Sequence, residues 1–311
     1  MPESQSAAKL SPLQVLLVTP LAGALVTLSL APFDFWPAGI LSCALFAWLL
    51  STCEPRDALW RGWLYGLGLF GSGVSWVYVS IHVHGYAPVP LASLLTLLFC
   101  AGLAIFHSIF AWLYVAHLRR LPGGMLMGFP LLWVLFEWLR SWILTGFPWL
   151  VLGYAHVDTP IAGWAPILGV FGLSFICAVS GTCLFLAWRS RQPVAIATYS
   201  VIIVTLWVGG GVLKPIQWVA RASEKPLSVA IYQPNVPQEN KWNRKYYNPI
   251  LRQLEAASLP LLGHDILVWP EAAIPNYYQN ARSFLDPIAQ QAAIADTTLI
   301  TGIPYRPPGT A

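Results

Sequence analysis

Charge is what this sequence lacks first. Only 10% of its 311 residues are Asp, Glu, Lys or Arg, against roughly 25% in a soluble domain. With 57% hydrophobic residues and a mean hydropathy of +0.61, the composition is that of a membrane protein. Basic runs interleaved with aromatics are missing too, so no nucleic-acid partner is expected. Cysteine is scarce and one-sided. The five thiols (Cys43, Cys53, Cys100, Cys177 and Cys183) lie in or beside apolar runs, and none follows residue 183. They read as small buried apolar residues rather than disulfides. Finally, neither lysine nor cysteine occurs after Glu271.

What is present is a series of apolar runs, each near the length of about 20 residues that a helix needs to cross hydrocarbon. Seven are expected to span, at 12–31, 36–52, 62–80, 89–116, 125–144, 164–188 and 193–213, and only the fifth contains charge. The first run, with Lys9 ahead of it and Ser29-Leu30-Ala31 behind, imitates a signal peptide. Its length and the runs that follow favour an uncleaved helix. Loop charge gives the orientation. Lys9, Arg56, Arg61, Arg119, Arg120, Arg189 and Arg191 fall at one set of ends, while loops 32–35, 81–88 and 145–163 carry no Lys or Arg. The N-terminus is therefore expected in the cytoplasm and everything after residue 213 on the far side.

Composition shifts at "RASEKP" (221–226). The expected organisation is a transmembrane domain over 1–213, a linker over 214–226 and an α/β domain over 227–311. In the last, strands read at 227–235, 265–271 and 298–305, with helices between them capped at Asn248-Pro249 and Asp286-Pro287. Alternation of this kind indicates an α/β layer fold. Pro270 has no N–H for a sheet ladder and is expected to end its strand. Glu271 then projects from a strand end, where α/β folds place reactive groups. Two readings stand for it: a catalytic carboxylate, or a cap or ion-pair partner. An uncovered apolar face of so partial a sheet is expected to leave the region beyond about residue 226 disordered or prone to aggregate.

Other polar residues each carry two readings. Glu137 and Arg140, three apart on one helix, share a face and are expected to pair. They either orient the "TGFPW" loop or meet a phospholipid head group, with Arg140 close enough to the outer end to snorkel. Phe147, Pro148 and Trp149 are expected to dip into the outer leaflet. Gln233 and Asn235 form a turn or line a site. His82 and His84 have no third ligand nearby, so no metal is expected. His107 reads as a satisfied helix contact rather than a proton relay.

"VWPEAAIP" (268–275) resembles the segment carrying the glutamate of the nitrilase (carbon–nitrogen hydrolase) superfamily. Joined to several N-terminal spans, it is similar to the apolipoprotein N-acyltransferase family. "SGVSWVYVSIHVHG" (72–85), "FEWLRSWILTGFPWLVLGYA" (136–155), "YQPNVPQENKW" (232–242) and "LITGIPY" (299–305) extend the resemblance along nearly the whole chain. It implies a polytopic α-helical membrane domain followed by the N-terminal part of a nitrilase-like αββα sandwich. It also implies a bacterial inner-membrane location with that sandwich in the periplasm, no cofactor and a monomeric state. The implied activity is two-step acyl transfer. A cysteine thiolate takes an acyl chain from a phosphatidylethanolamine-like phospholipid, and the N-terminal amine of a diacylglyceryl apolipoprotein then receives it. Glu271 is by resemblance the general base, expected in burial beside Trp269 and Ile274. Trp242 is by resemblance a residue lining the acyl or lipoprotein site, its plainer reading being a helix-entry anchor.

The superfamily triad is Glu–Lys–Cys, with lysine and cysteine beyond the glutamate, and this chain has neither there. A truncated chain, inactive alone, is therefore expected. The alternatives are a membrane-tethered amidase-type hydrolase and a non-catalytic lipid- or lipoprotein-binding remnant. A transporter fits poorly, because charge is confined to one span.

Overall fold

The computed structural model describes residues 11–223 and 225–307. Lys9, one of the charges used for orientation, lies outside them, as do the last residues of "RPPGTA". The chain forms two compact units, Met1–Trp218 and Val219–Ala311.

The first unit is helical. Its elements are α1 (Pro12–Ser29), α2 (Pro37–Ser51), α3 (Pro55–Gly73), the short α4 (Val77–Val79), α5 (Val89–Leu113), α6 (Phe129–Arg140), α7 (Ala165–Ser190) and α8 (Pro193–Leu213). Proline stands in the first turn of most of them, where its missing N–H would be unpaired anyway. Each of the seven apolar runs is largely helical, though they differ in length and continuity. Among the described residues four helices are long and apolar enough to cross a membrane: Pro12–Ser29, Val89–Leu118, Pro160–Ser190 and Pro193–Leu213. A fifth qualifies if Pro55–Gly73 and Val77–His84, bent by 61°, count as one. Hydrophobicity alone does not reveal such breaks. Gly169, at φ +66°, interrupts α7 in the same way.

The core of this unit is aromatic. Phe46 stacks on Tyr65 at 3.9 Å and meets Phe110 at 5.6 Å. α1 crosses α3 with almost no side chain between them. A Cβ on Gly23 would lie 2.0 Å from Tyr65 O, and one on Gly68 would lie 1.9 Å from Pro20 O. Gly68→Ala is thus expected to force the helices apart. Overpacking of this kind commonly destabilises by about 1–3 kcal/mol, to be read as a lowered melting temperature in detergent. Two of the arginines used for orientation have local work as well. Arg61 donates to Leu49 O at 2.5 Å, and Arg119 donates to Leu50 O at 2.9 Å and Cys53 O at 2.7 Å. They complete the open carbonyls at the end of α2, where cations are favoured.

The second unit is a three-stranded parallel sheet ordered β1-β2-β3: β1 (Val229–Ile231), β2 (Ile266–Glu271) and β3 (Thr298–Gly302). Helices α9 (Gln238–Lys241) and α10 (Arg244–Ser258) connect β1 to β2, and α11 (Tyr278–Ile294) connects β2 to β3. One face is covered: Ala230, Leu267 and Trp269 pack with Leu254, Leu285 and Ile288. On the other, Ile231 is 74% and Ile300 49% exposed. Despite that bare face the three strands pair, β1 with β2 in continuous register and β2 with β3 across one slip. Ser228 N and Oγ both donate to Asp265 Oδ2 at 2.7 Å. These bonds, the backbone one foremost, hold the Asp265 carboxyl below its usual range.

Three local expectations are corrected. Asn243, not Asn248, caps α10, accepting from Lys245 N at 3.0 Å, and Pro249 lies inside that helix. α11 likewise runs through Pro287. In both, the buried stripe outweighs the one backbone bond that proline forfeits: Ile250, Leu254 and Ser258 in α10, and Ala281, Leu285, Ile288 and Ala292 in α11. Pro270 does not end β2. The ladder to β3 slips between Val268 and Glu271 and resumes at Glu271↔Gly302, so the missing donor falls where no bond is due.

Candidate functional site

The chemistry-bearing residues fall into two sets, one in each unit. In the first unit Glu137 and Arg140 are buried on α6, 6% and 2% exposed. They do not pair: among the described residues the ion pair is Arg282–Asp286. Glu137 Oε1 accepts from Trp133 Nε1 at 3.0 Å and from Leu152 N at 2.8 Å. Arg140 donates to Phe147 O at 2.7 Å and to Trp149 O, with its guanidinium 5.4 Å from the Phe70 ring centre. Nor does Arg140 snorkel. Loop peptide groups away from water need partners, and the two ionisable side chains supply both a donor and an acceptor to the same loop.

That loop is strained. Leu144, Thr145 and Leu150 hold φ of +54°, +74° and +59° around Gly146 at +84°, a region that L-residues avoid. Such a conformation persists only where its surroundings impose it, and the Arg140–Glu137 clamp does so. At its tip Trp149 is 51% exposed. Phe147 is half-buried, edge-on to Phe99 at 5.1 Å and stacked on Trp149 at 5.2 Å.

The histidines separate. His82 Nδ1 lies 2.7 Å from Ala87 O, and His84 is exposed. His107 is a helix contact, boxed by Tyr65, Phe70 and Trp133 at 5.4, 5.6 and 5.8 Å. It is not fully satisfied, since its buried Nδ1 has no hydrogen-bond partner among the described residues. Sequence reasoning overlooked His156, which is wholly buried between Trp36 and Trp207. Among the described residues no group of three His, Cys, Asp or Glu could hold a metal.

In the second unit the carboxyl ends of β1 and β2 come together, as a parallel sheet requires. β1 leads into Gln233, which is exposed, and Asn235, at φ +49°. β2 ends on Glu271 and turns at once through Ala272, at φ +50°. Trp269 and Ile274 are buried as expected, but Glu271 is exposed. Residues on β2 alternate faces, and the slip at Pro270 carries Glu271 outward. Opposite it, Gly302 lets β3 approach closely, a Cβ there meeting Glu271 Cα at 3.3 Å.

The family motif order, with lysine after the glutamate, does not point to Lys241. It reaches back from α9, its Nζ 3.4 Å from the Glu271 backbone carbonyl. Next to it Trp242, 57% exposed, lines a cleft of about 500 Å³ with Arg244, Tyr247, Asn276 and Asn280. It is therefore not an anchor packed into the sheet.

Residues 22–183, more than half of the chain, match the family described as "Apolipoprotein N-acyltransferase N-terminal domain". The chain belongs to the apolipoprotein N-acyltransferase family. Curated relatives of that name include one from Pseudomonas paraeruginosa, 44% identical over 288 residues, which are 92% of this chain and 56% of the relative. One from Azotobacter vinelandii is 42% identical over 289 residues, again 92% and 56%. One from Coxiella burnetii is 39% identical over 286 residues, 91% and 59%. The chain thus spans somewhat more than half the length of the family members it matches. The matched segment of this chain includes the positions of Glu137, Arg140, Phe147 and Trp149. An alignment covering 92% of 311 residues must also run through 233–271, and so includes Gln233, Trp242 and Glu271.

Proposed function

We propose that this chain carries the membrane-embedded part, and part of the catalytic unit, of an enzyme that N-acylates the diacylglyceryl-cysteine terminus of apolipoproteins from a phospholipid. The observation that carries this reading is the family match across residues 22–183. The chain sits in a bacterial inner membrane as about seven spans with the N-terminus in the cytoplasm, and the second unit, a nitrilase-like fold, faces the periplasm. Its domains run 1–213, 214–226 and 227–311. It works as a monomer.

The chemistry divides into two steps. A cysteine thiolate adds to the sn-1 ester carbonyl. The C–O bond breaks, and the departing lysophospholipid oxygen takes up a proton. The acceptor amine then adds to the thioester, the C–S bond breaks, and thiolate returns. Thiols are mostly protonated near neutrality, and so is the amine, hence each step needs a base. Glu271 fills that role from the carboxyl end of β2, and its exposed carboxylate is open to a partner. Trp242 and Gln233 border the same end of the sheet. Trp149 and Phe147, on the loop clamped by Arg140 and Glu137, meet the incoming lipid.

The five cysteines all lie in the first unit and are buried, so these 311 residues provide no accessible thiol for Glu271 to serve. Purified and mixed with phosphatidylethanolamine and a diacylglyceryl-cysteine peptide, they are expected to give no triacylated peptide by mass spectrometry. Acylated peptide from this polypeptide, free of any longer family member, would overturn that. A polypeptide extending past residue 311 that released free fatty acid instead would replace transfer with hydrolysis.

A further inference from the structure

We propose that Cys43, Cys177 and His156 form a hydroperoxide-sensitive dithiol, with His156 as base, Cys177 as the attacked thiol and Cys43 as the thiol that closes a disulfide from α2 to α7. The starting observation is an orphaned ring. His156 is 0% exposed, and neither Nδ1 nor Nε2 has a hydrogen-bond partner among the described residues. An imidazole carries at least one N–H, and a polar group buried without a partner calls for a cause. Two of the ring's neighbours are aromatic, Trp36 at 6.1 Å and Trp207 at 5.8 Å. The third is the Cys177 thiol, beside the ring but not aligned for a hydrogen bond. Cys177 in turn adjoins Cys43, and both thiols are free and wholly buried. Their helices touch here. Gly181 stands one turn after Cys177 on the same face of α7. A Cβ on it would lie 2.6 Å from Cys43 Cβ and 2.7 Å from Ile40 O. Backbones this close let two short side chains meet, as a disulfide requires.

A buried thiol is ordinarily inert, because its thiolate does not form. An imidazole at its side changes that. Cys177 passes its proton to His156, and the thiolate sulfur attacks one oxygen of a hydroperoxide, ROOH. The O–O bond breaks, the other oxygen leaves as ROH with the proton from His156, and Cys177 becomes a sulfenic acid. Cys43 sulfur then attacks Cys177 sulfur. The S–O bond breaks, and hydroxide departs as water with the Cys43 proton. The two thiols lose two electrons, the hydroperoxide gains them, and the products are one disulfide, one ROH and one water. In the orientation proposed above, the loop that holds His156 faces the periplasm, where disulfides persist. The new bond would tie α2 to α7 beside a loop already fastened to α7 by Gly153 N, which donates to Ser174 Oγ at 2.8 Å. The hydroperoxide has two routes in: from water through local opening, or from the hydrocarbon if it is apolar.

The test treats the full chain in phosphatidylcholine nanodiscs with hydrogen peroxide in one arm and cumene hydroperoxide in the other. Free thiols are then alkylated in denaturant, and the digest is read by mass spectrometry. A Cys43–Cys177 linked peptide is expected in at least one arm. Faster linking by cumene hydroperoxide assigns the hydrocarbon route, and faster linking by hydrogen peroxide assigns the water route. Cys53, just past α2, and Cys183, on α7, are also buried and should stay alkylatable. His156→Gln should slow linking at least roughly tenfold, while alkylation in denaturant is unchanged. Cys43→Ser covers the case in which that variant fails to fold: Cys177 should then stop at the sulfenic acid, which dimedone traps. Cys100→Ser should link at the original rate. No Cys43–Cys177 link in either arm, equal oxidation of Cys53 or Cys183, or linking at the original rate in His156→Gln overturns the proposal. The readout is a covalent link rather than turnover, so the result stands apart from acyl transfer.

Discussion

Glu271→Gln, in a polypeptide that contains this chain and the thiol it serves, is expected to lower acyl transfer by about 10²–10⁴-fold, the usual worth of a general base. Glutamine keeps the shape and the strand end but cannot take a proton. The loss should fall on kcat, with substrate binding little altered, and on both half-reactions, since thiol and amine each need deprotonation. Single-turnover formation of the thioester and its decay on adding peptide separate the two. A loss confined to KM would make Glu271 a binding residue instead. Because the carboxylate is exposed and the residue is held in the sheet by backbone pairing with Gly302 rather than by its side chain, the substitution should leave melting behaviour unchanged. The effect is then chemical, not structural.

Arg140→Gln should behave in the opposite way, losing stability first. The guanidinium supplies donors to Phe147 O and Trp149 O from a site that is 2% exposed. A hydrogen bond from a charged donor is worth about 1.5–3 kcal/mol, and two are at stake. The left-handed residues Leu144, Thr145, Gly146 and Leu150 then lose the Arg140 half of their clamp, and the loop should relax. Limited proteolysis between 144 and 150 in detergent is expected to accelerate, with a lower melting temperature. Arg140→Lys should rescue only in part, because an ammonium cannot fork to two carbonyls as a guanidinium does. Unchanged proteolysis in Arg140→Gln would show that the loop holds itself.

The contrast between these residues tracks what a sequence can express. Apolar run length placed helices at each of the seven stretches, because that signal is local and repeats over many residues. It could not show that α3 breaks before α4 or that α7 kinks at Gly169, since a break needs only one or two backbone angles. Spacing put Glu137 and Arg140 on one face, which they share. Spacing cannot tell whether neighbours bond to each other or to a loop ten residues away, and here the loop prevailed. Glu271 was legible as a strand-end acid, while its exposure depended on a register slip at Pro270 set by β3. Proline pairs looked like helix starts because the local rule is strong. The buried stripes that override it are visible only once the sheet is in place. Lys241 was hidden by a motif order that directed attention downstream.

The α1–α3 crossing carries a consequence for how such sequences vary. The obstacles to a side chain at Gly23 and Gly68 are main-chain oxygens, which no substitution elsewhere can shrink. Change at these two positions has no compensating partner, so drift should be blocked there regardless of what the rest of the bundle does. α5 stands at the other extreme. Only 17% of its most apolar window is buried, so its leucines face a fluid neighbour that accepts any apolar shape. Lineages of this protein should therefore diverge freely at the exposed leucines of α5, such as Leu94, Leu97 and Leu98, while two hydrogen atoms, at Gly23 and Gly68, stay fixed.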